Sequence, residues 1–595
     1  MGSQTTDLAG QSRDRSRIRL GAMAFLAVSL LVALIAPASA APGDNQGNGQ
    51  VDPPGQLIDL QLLAFNDYHG HVESGEAGTV DGEPAGGGEY LSAKLNELRA
   101  GNKYSLTVAA GDLIGGSPFF SGLFHDEPSV ESLNAMGLDV SSVGNHEFDE
   151  GVTELLRMQD GGCHPEDGCY FPDEPYAGAD FQWLSANVVD ESGSTPLPPY
   201  WIKRFNNIKV GFIGMTLEAT DTLVAAAGIQ GFDFLDEVET ANALVPELQA
   251  QGVEAIVVLL HEGGIPDPIP INGCFGISGP IVAINDGLDS AIDAVITGHT
   301  HLPYNCVLSD PSGADRMVTS AFSYGRVVTE MNLVLDKRTK DVRRDLSSAT
   351  NHAVIQADLA PDPAVTAVID KWAPLAEEVG SVPVGTITAD INRGGVPTGS
   401  DRGVESPAGN LVADAQNWSA SAAGSQVAFM NPGGVRSDLT FASSSGEGDG
   451  VVTFGEAQTF QPFGNTVLTF PMTGAQIISV LEEQCQPDFA SRPFLHLGVS
   501  EGFTYDLAKT IVGGLCTGVS ITNVQINGVP LDPAGTYMVT ANSFLADGGD
   551  NFTTFAEVDP AMRIDGGNDL LALVNYLGTF SPVAPPPTDR VNEIG

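Results

Sequence analysis

Basic side chains are scarce: 26 Lys and Arg stand against 75 Asp and Glu in 595 residues, a formal charge of −49 at pH 7. A long polyanion needs a continuous basic face, which sets polymeric DNA and RNA aside as partners. A small anion stays admissible, because screening confines long-range repulsion to about 8 Å. Cysteine is scarce too, six in all, and no pair has the C-x-x-C spacing of a zinc knuckle. No G-x-x-x-x-G-K-S/T run occurs, which excludes a P-loop kinase or ATPase. There is no internal repeat of a solenoid or propeller, and after residue 36 no apolar run reaches the roughly 20 residues of a membrane span.

What is present begins with an export signal. Residues 13–19 carry four arginines, residues 20–36 are apolar and uncharged, and Ala38-Ser39-Ala40 is a small-residue cleavage sequence. Cleavage after Ala40 is expected, followed by a Gly/Asn/Gln/Pro-rich leader over residues 41–56. A secreted or cell-envelope location follows, with no stable membrane insertion of the mature chain. In an oxidising compartment the six cysteines read as disulfides. Fifteen connectivities are open; the local pairs Cys163/Cys169, Cys274/Cys306 and Cys485/Cys516 are favoured. The acidic balance suits a solvated surface.

A chain of this length implies more than one core. Between 57 and 350, β-rich runs (58–65, 105–110, 209–215, 255–260, 294–297) alternate with helical stretches, an α/β layered pattern. Pro361-Asp362-Pro363 opens a helix through Glu378 within a linker over 351–381. A second mixed domain (α+β) spans 382–580, and a Pro-rich, extended tail follows over 581–595.

Five apolar runs of strand length end in groups of metal-ligand type: Asp67-Tyr68-His69, Gly111-Asp112, Gly144-Asn145-His146, His261 and Gly298-His299-Thr300-His301. Strand C-termini of an open α/β sheet share one edge, so endings far apart in sequence can meet there. Two divalent ions about 3.5–4 Å apart polarise a phosphoryl oxygen and activate water, and they need a bridging carboxylate with several imidazoles. Asp112 is the natural bridge. The spacing of His146 and Asp149 lets one hydrogen-bond the other across a helical turn.

These motifs, with Asn431-Pro432-Gly433-Gly434-Val435-Arg436, Pro462-Phe463-Gly464 and Phe544-Leu545-Ala546-Asp547-Gly548-Gly549-Asp550, resemble the secreted 5′-nucleotidase and UDP-sugar hydrolase family. The resemblance covers nearly the whole mature chain. It implies a layered metallophosphatase sandwich followed by a substrate-binding domain, and two divalent ions drawn from Zn, Mn, Fe, Co or Mg. Asp67, His69, Asp112 and His301 would hold the first ion, and Asp112, Asn145, His261 and His299 the second. The position of His301 is often an amide in relatives. His146 and Asp149 would form a catalytic dyad.

In the second domain the resemblance implies phosphate contacts from Arg402 and Arg436 with Asn431 beside them, a base clamp of Phe463 and Phe544, and Asp550 on the ribose hydroxyls. Pro432, where glycine is usual, and the segment from Arg402 to Pro407 depart from the family wording. Two phenylalanines lean toward 5′-nucleotidases over cyclic-nucleotide enzymes. The expected activity is release of phosphate from nucleoside 5′-monophosphates, extending to nucleoside di- and triphosphates or UDP-sugars. The alternatives are a 2′,3′-cyclic-nucleotide phosphodiesterase with 3′-nucleotidase activity and a catalytically silent nucleotide-binding surface protein.

Overall fold

A computed structural model describes residues 56–75, 77–443, 446–487 and 490–594; the expected export signal and all but the last residue of the expected leader lie outside them. Among the described residues no helix is long and apolar enough to cross a membrane.

The first half is built on two sheets. In one, Leu57–Phe65, Ser105–Ala110, Val140–Ser142 and Gln182–Leu184 run parallel as successive neighbours, with Val327–Asp336 antiparallel on the other side of the first. In the second, Ile208–Thr216, Ala255–His261, Ala294–Thr297 and Asp315–Ser320 run parallel. Side chains alternate between the faces of a strand, and that period assembles the layers. Leu60, Leu62 and Ala64 meet Phe212, Val257 and Leu259 between the sheets. Leu63 and Phe65 point outward beneath helices that contribute Leu91, Leu133 and Trp372. Ile256, Val258 and Leu260 point to the other outer layer, formed by helices Glu237–Ala250 and Pro280–Gly287. The result is a helix–sheet–sheet–helix sandwich, as expected for the fold class. The single sheet edge inferred for the five ligand endings needs correction: three endings belong to one sheet and two to the other. Strands of both sheets turn the same kind of apolar side chain to the interface between them, so the pattern carries no record of which sheet a strand joins.

Helix Pro363–Gly380 starts where Asp362 accepts the backbone N–H of Ala364 at 2.9 Å and Pro363 occupies the first turn. Its Val365, Trp372 and Ala376 are part of the first-half core, and the Trp372 indole N–H donates to Glu131 at 3.0 Å.

The second half centres on a five-stranded sheet in the order Gly498–Val499, Val427–Met430, Thr536–Asn542, Thr466–Thr473, Ile564–Asn568. Helices Pro407–Ser419 and Asp569–Phe580 cover one face through Leu411, Val412, Leu573 and Leu577. Helix Gly474–Glu482 and the hairpin Phe503–Val512 with Leu515–Ile526 cover the other. The tail packs back: Val591–Glu593 adds a parallel strand to the hairpin, and Arg590 pairs with Asp414 at 2.7 Å. All three local disulfides form, Cys163–Cys169, Cys274–Cys306 and Cys485–Cys516.

Candidate active site

Each donor of the first-half cluster sits just past a parallel strand or ends one. Asp67 and His69 follow Leu57–Phe65, Asp112 follows Ser105–Ala110, and Asn145 follows Val140–Ser142. His261 ends Ala255–His261, and His299 and His301 follow Ala294–Thr297. Asp67, His69, Asp112, His299 and His301 all have left-handed backbone, with φ between 46° and 69°. Such conformations cost of order 1–3 kcal/mol each and persist where the surroundings enforce them. Close approach demands glycine at two neighbouring positions: a Cβ at Gly144 would overlap Asp112 Oδ1, and one at Gly298 would lie 2.7 Å from the Ala110 carbonyl.

Two overlapping donor groups result. Asp67, His69, Asp112 and His301 each bring one atom within 4.8 Å of the others, and so do Asp112, His261 and His299. Asp112 Oδ2 lies 3.5 Å from His69 Nε2 and 2.9 Å from His261 Nε2. His301 Nε2 stands 3.1 Å from Asp67 Oδ1 and 3.1 Å from His69 Nε2. The Asn145 amide oxygen is 3.0 Å from His299 Nδ1, joining the second group.

The donor chemistry fits a pair of divalent cations. His69 Nδ1 and His261 Nδ1 each lie 2.7 Å from a carbonyl oxygen, of Gly115 and Ala110, so those nitrogens carry protons and the Nε2 lone pairs face the centre. His261 Nε2 is buried, 2.9 Å from Asp112 Oδ2 but outside hydrogen-bond alignment with it. Burial pushes His69 and His301 well down and His299 to about 3, which leaves neutral imidazoles. Burial opposes charge on His261 as well, yet Asp112 and Asp67 outweigh it and raise it to about 10, marking a point where positive charge is favoured.

Glu147 organises this centre, a role its place in the Gly-Asn-His-Glu motif did not disclose. Its carboxylate accepts the backbone N–H groups of Asp112 at 2.9 Å, Leu113 at 2.7 Å and Gly144. Asn66 does likewise for Asp67, donating to its carboxylate and to the Phe322 carbonyl while accepting from Ala321. Asn66 directly precedes Asp67 and Glu147 directly follows His146, and adjacency is the signal that could have found them.

His146 begins a single 3₁₀ turn, His146–Phe148, and its Nδ1 is 2.8 Å from Asp149 Oδ2. Its backbone N–H donates to Asp112 Oδ1 at 2.9 Å. Burial opposes charge on this ring, but Asp149 and Asp112 prevail and raise its pKa.

The second-half candidates line the same cleft. Arg402, Asn431, Arg436, Phe463, Phe544 and Asp550 share it with Asp112, Asn145, His146, Asp149, His299 and His301. Asn431 and Phe544 come together because Val427–Met430 and Thr536–Asn542 are parallel neighbours ending at one edge. Asn431 Nδ2 donates to Asp550 Oδ2 at 3.1 Å. The Phe463 ring lies nearly parallel to His146 at 5.9 Å, with the Arg436 guanidinium 5.7 Å from the same phenyl centre. Phe544 also packs against the second-half core and covers Gly549, where a Cβ would meet its ring. Arg492, in no recognisable motif, lines the cleft as a third guanidinium.

Comparison with known proteins agrees with this geometry. The family described as calcineurin-like phosphoesterase matches residues 60–303, and the 5′-nucleotidase C-terminal domain matches 383–557. The chain is 33% identical to Endonuclease YhcR of Bacillus subtilis over 544 residues, covering 89% of this chain and 40% of that protein. It is 33% identical to Cell wall protein Lmo0130 of Listeria monocytogenes, covering 87% of this chain and 67% of that one. The chain thus spans less than half of the first relative and two thirds of the second. The crystal structure of a 5′-nucleotidase precursor from Thermus thermophilus superposes with a TM-score of 0.71 at 25% identity, covering 90% of this chain and all of that one.

Proposed function

The chain belongs to the calcineurin-like phosphoesterases that carry a 5′-nucleotidase C-terminal domain, and from that premise we propose a metal-dependent hydrolase releasing phosphate from nucleoside 5′-monophosphates. The observation that carries the reading is the single cleft lined by the imidazole and carboxylate cluster on one side and by Arg402, Arg436, Phe463, Phe544 and Asp550 on the other.

Asp67, His69, Asp112 and His301 would hold one cation, and Asp112, Asn145, His261 and His299 the other; such donors suit Zn, Mn, Fe, Co or Mg alike. Once bound, the pair supplies Lewis acidity to the phosphoryl group and to water. Arg402 and Arg436 offer planar forks to phosphoryl oxygens. His146, kept protonated by Asp149 on Nδ1, gives its other proton to the leaving 5′-oxygen as the P–O bond breaks and the oxygen of water bonds to phosphorus. Nucleoside and inorganic phosphate result. Phe463 and Phe544 take the base, and Asp550 accepts from the ribose hydroxyls. With Arg492 close by, nucleoside di- and triphosphates and UDP-sugars are the adjoining substrates. The disulfides and the Ala38-Ser39-Ala40 sequence support export to the envelope or medium.

The relative named as an endonuclease raises polynucleotides as a competing substrate. Against it stand the charge of −49 and the confinement of these arginines to a cleft. The test is hydrolysis of 5′-AMP, 3′-AMP, 2′,3′-cyclic AMP, UDP-glucose and a single-stranded oligonucleotide, after chelation and metal add-back. The expected result is metal-dependent turnover fastest on 5′-AMP. Preference for the cyclic or 3′ substrate replaces the reading with a cyclic phosphodiesterase, preference for the oligonucleotide replaces it with a nuclease, and no turnover replaces it with a silent binding protein.

A further inference from the structure

Away from the five ligand endings, a second set of imidazoles and carboxylates converges. His125, Glu150, Glu154 and His164 each bring one donor atom within 4.8 Å of the others. None has a part in the phosphate chemistry above. They come from separate places: the turn before helix Glu127–Met136, the segment after the dyad, helix Val152–Asp160, and the loop closed by Cys163–Cys169.

We propose that His125, Glu150, Glu154 and His164 form a third divalent-cation site, of the imidazole–carboxylate chemistry that suits zinc, clamping the disulfide loop to the segment that carries the dyad.

Three features support it. The first is orientation: His125 Nδ1 is 2.6 Å from Glu150 Oε2 while its Nε2 is 2.8 Å from Asp167 Oδ2. Asp167 on Nε2 is the kind of carboxylate that orients a metal-bound histidine, and Nδ1 faces Glu150, so a cation at this site would take the place of the proton between them. Glu154 is oriented in turn, since Arg157 donates to both of its oxygens.

The second is charge. Glu150 and Asp167 place negative charge beside two imidazoles whose rings stack at 3.7 Å with 14° between planes, while Glu154 shares its charge with Arg157. Protonating both rings would place two like charges face to face, which repel strongly at that distance. One divalent ion supplies the same positive charge without that repulsion. The third is spacing: tetrahedral zinc with bonds near 2.0–2.1 Å keeps its donor atoms roughly 3.3 Å apart, and these four, all within 4.8 Å of one another, reach that once the two stacked rings turn toward a common point. His125 also shares the left-handed backbone of the primary donors, with φ 50°.

The consequence reaches the reaction. Glu150 directly follows Asp149, and one cavity is lined by His125, Glu150 and Glu154 together with His146, Asp149 and Phe463. A cation here restrains the peptide that sets the dyad carboxylate.

The test counts metal on the purified full-length chain. After equilibrium dialysis against zinc, metal analysis is expected to find one ion per chain more in the wild type than in the His125→Ala, His164→Ala double variant. In a chain carrying Asp112→Asn and His261→Ala, titrated cobalt(II) is expected still to give a visible d–d band, and Glu150→Gln added to that background is expected to abolish it. Glu150 is half exposed, so this arm keeps the test open should the double histidine variant not fold. Equal zinc in wild type and double variant, or a cobalt band indifferent to Glu150→Gln, overturns the site. Neither readout depends on which nucleotide is hydrolysed.

Discussion

On the first-half wall of the cleft the donor side chains are already held in place by hydrogen bonds, whereas on the second-half wall the arginine charge is held open. His69 and His261 are fixed by backbone carbonyls, Asp67 accepts the His299 N–H at 3.1 Å, and Glu147 ties three backbone N–H groups together. Across the cleft, Arg402, Arg436 and Arg492 have no carboxylate within ion-pair distance among the described residues. Burial first, and then their neighbouring guanidinium groups, push Arg402 and Arg492 below the usual arginine range. The first wall spends its hydrogen bonds on holding geometry before substrate arrives. The second keeps unpaired cations whose mutual repulsion an incoming phosphate relieves. Chemistry should therefore be sensitive to small changes on one wall, and affinity to changes on the other.

The largest expected break is at the dyad. Replacing His146→Asn should lower kcat by about 10²–10⁴ with little change in KM or in metal content; a drop confined to KM would move His146 to the binding wall. Next is Glu147→Gln, which leaves the residues of the primary donor set in place but loosens the loop beneath them. Its expected effect is about 10–100-fold weaker metal affinity, read by chelator competition. Unchanged metal affinity would show that the carboxylate holds backbone alone. Smaller again is Phe544→Ala, expected to cost roughly 1–3 kcal/mol in KM with kcat nearly preserved. Phe463 is the less clean probe, since its ring also covers His146. A kcat loss at Phe544 as large as at His146 would erase the distinction between the walls.

The last effect lies outside both walls and gauges the second-half scaffold. Burial raises Asp569, at the first turn of helix Asp569–Phe580, to about 7. Because the folded state holds that proton above the ordinary carboxylate value, its contribution is fully present below about pH 4 and is lost as pH rises toward 7. Melting curves of wild type and Asp569→Asn should therefore converge at low pH and separate toward neutrality, with the variant favoured by at most a few kcal/mol. Parallel curves across this range would refute the buried-proton account.

Much of the donor cluster on the first wall was legible because its side chains end apolar strands or follow them within a few residues, and such a junction shows as a sharp change of residue type. The His146–Asp149 hydrogen bond was legible for a similar local reason, as were the three disulfides, which join cysteines neighbouring in the order of the chain. Glu147 stood in a quoted motif without a role, because a carboxylate that accepts backbone N–H groups leaves no mark in the sequence of its partners. Arg492 was missed, since its segment has no Gly-rich punctuation and only its place in the cleft identifies it. The tail read as extended yet is docked, and the buried Arg590 that pairs it to Asp414 looks like any other basic residue until its partner is known.

The order and type of the donor groups were determined by sequence alone, because ligand chemistry belongs to the side chain wherever it lies. Which atoms meet was decided by tertiary structure. His69 and His301 are 232 positions apart, and their nitrogens stand 3.1 Å from each other because two sheets pack face to face. No local rule encodes that packing, since strands of either sheet turn the same kind of apolar face to the interface.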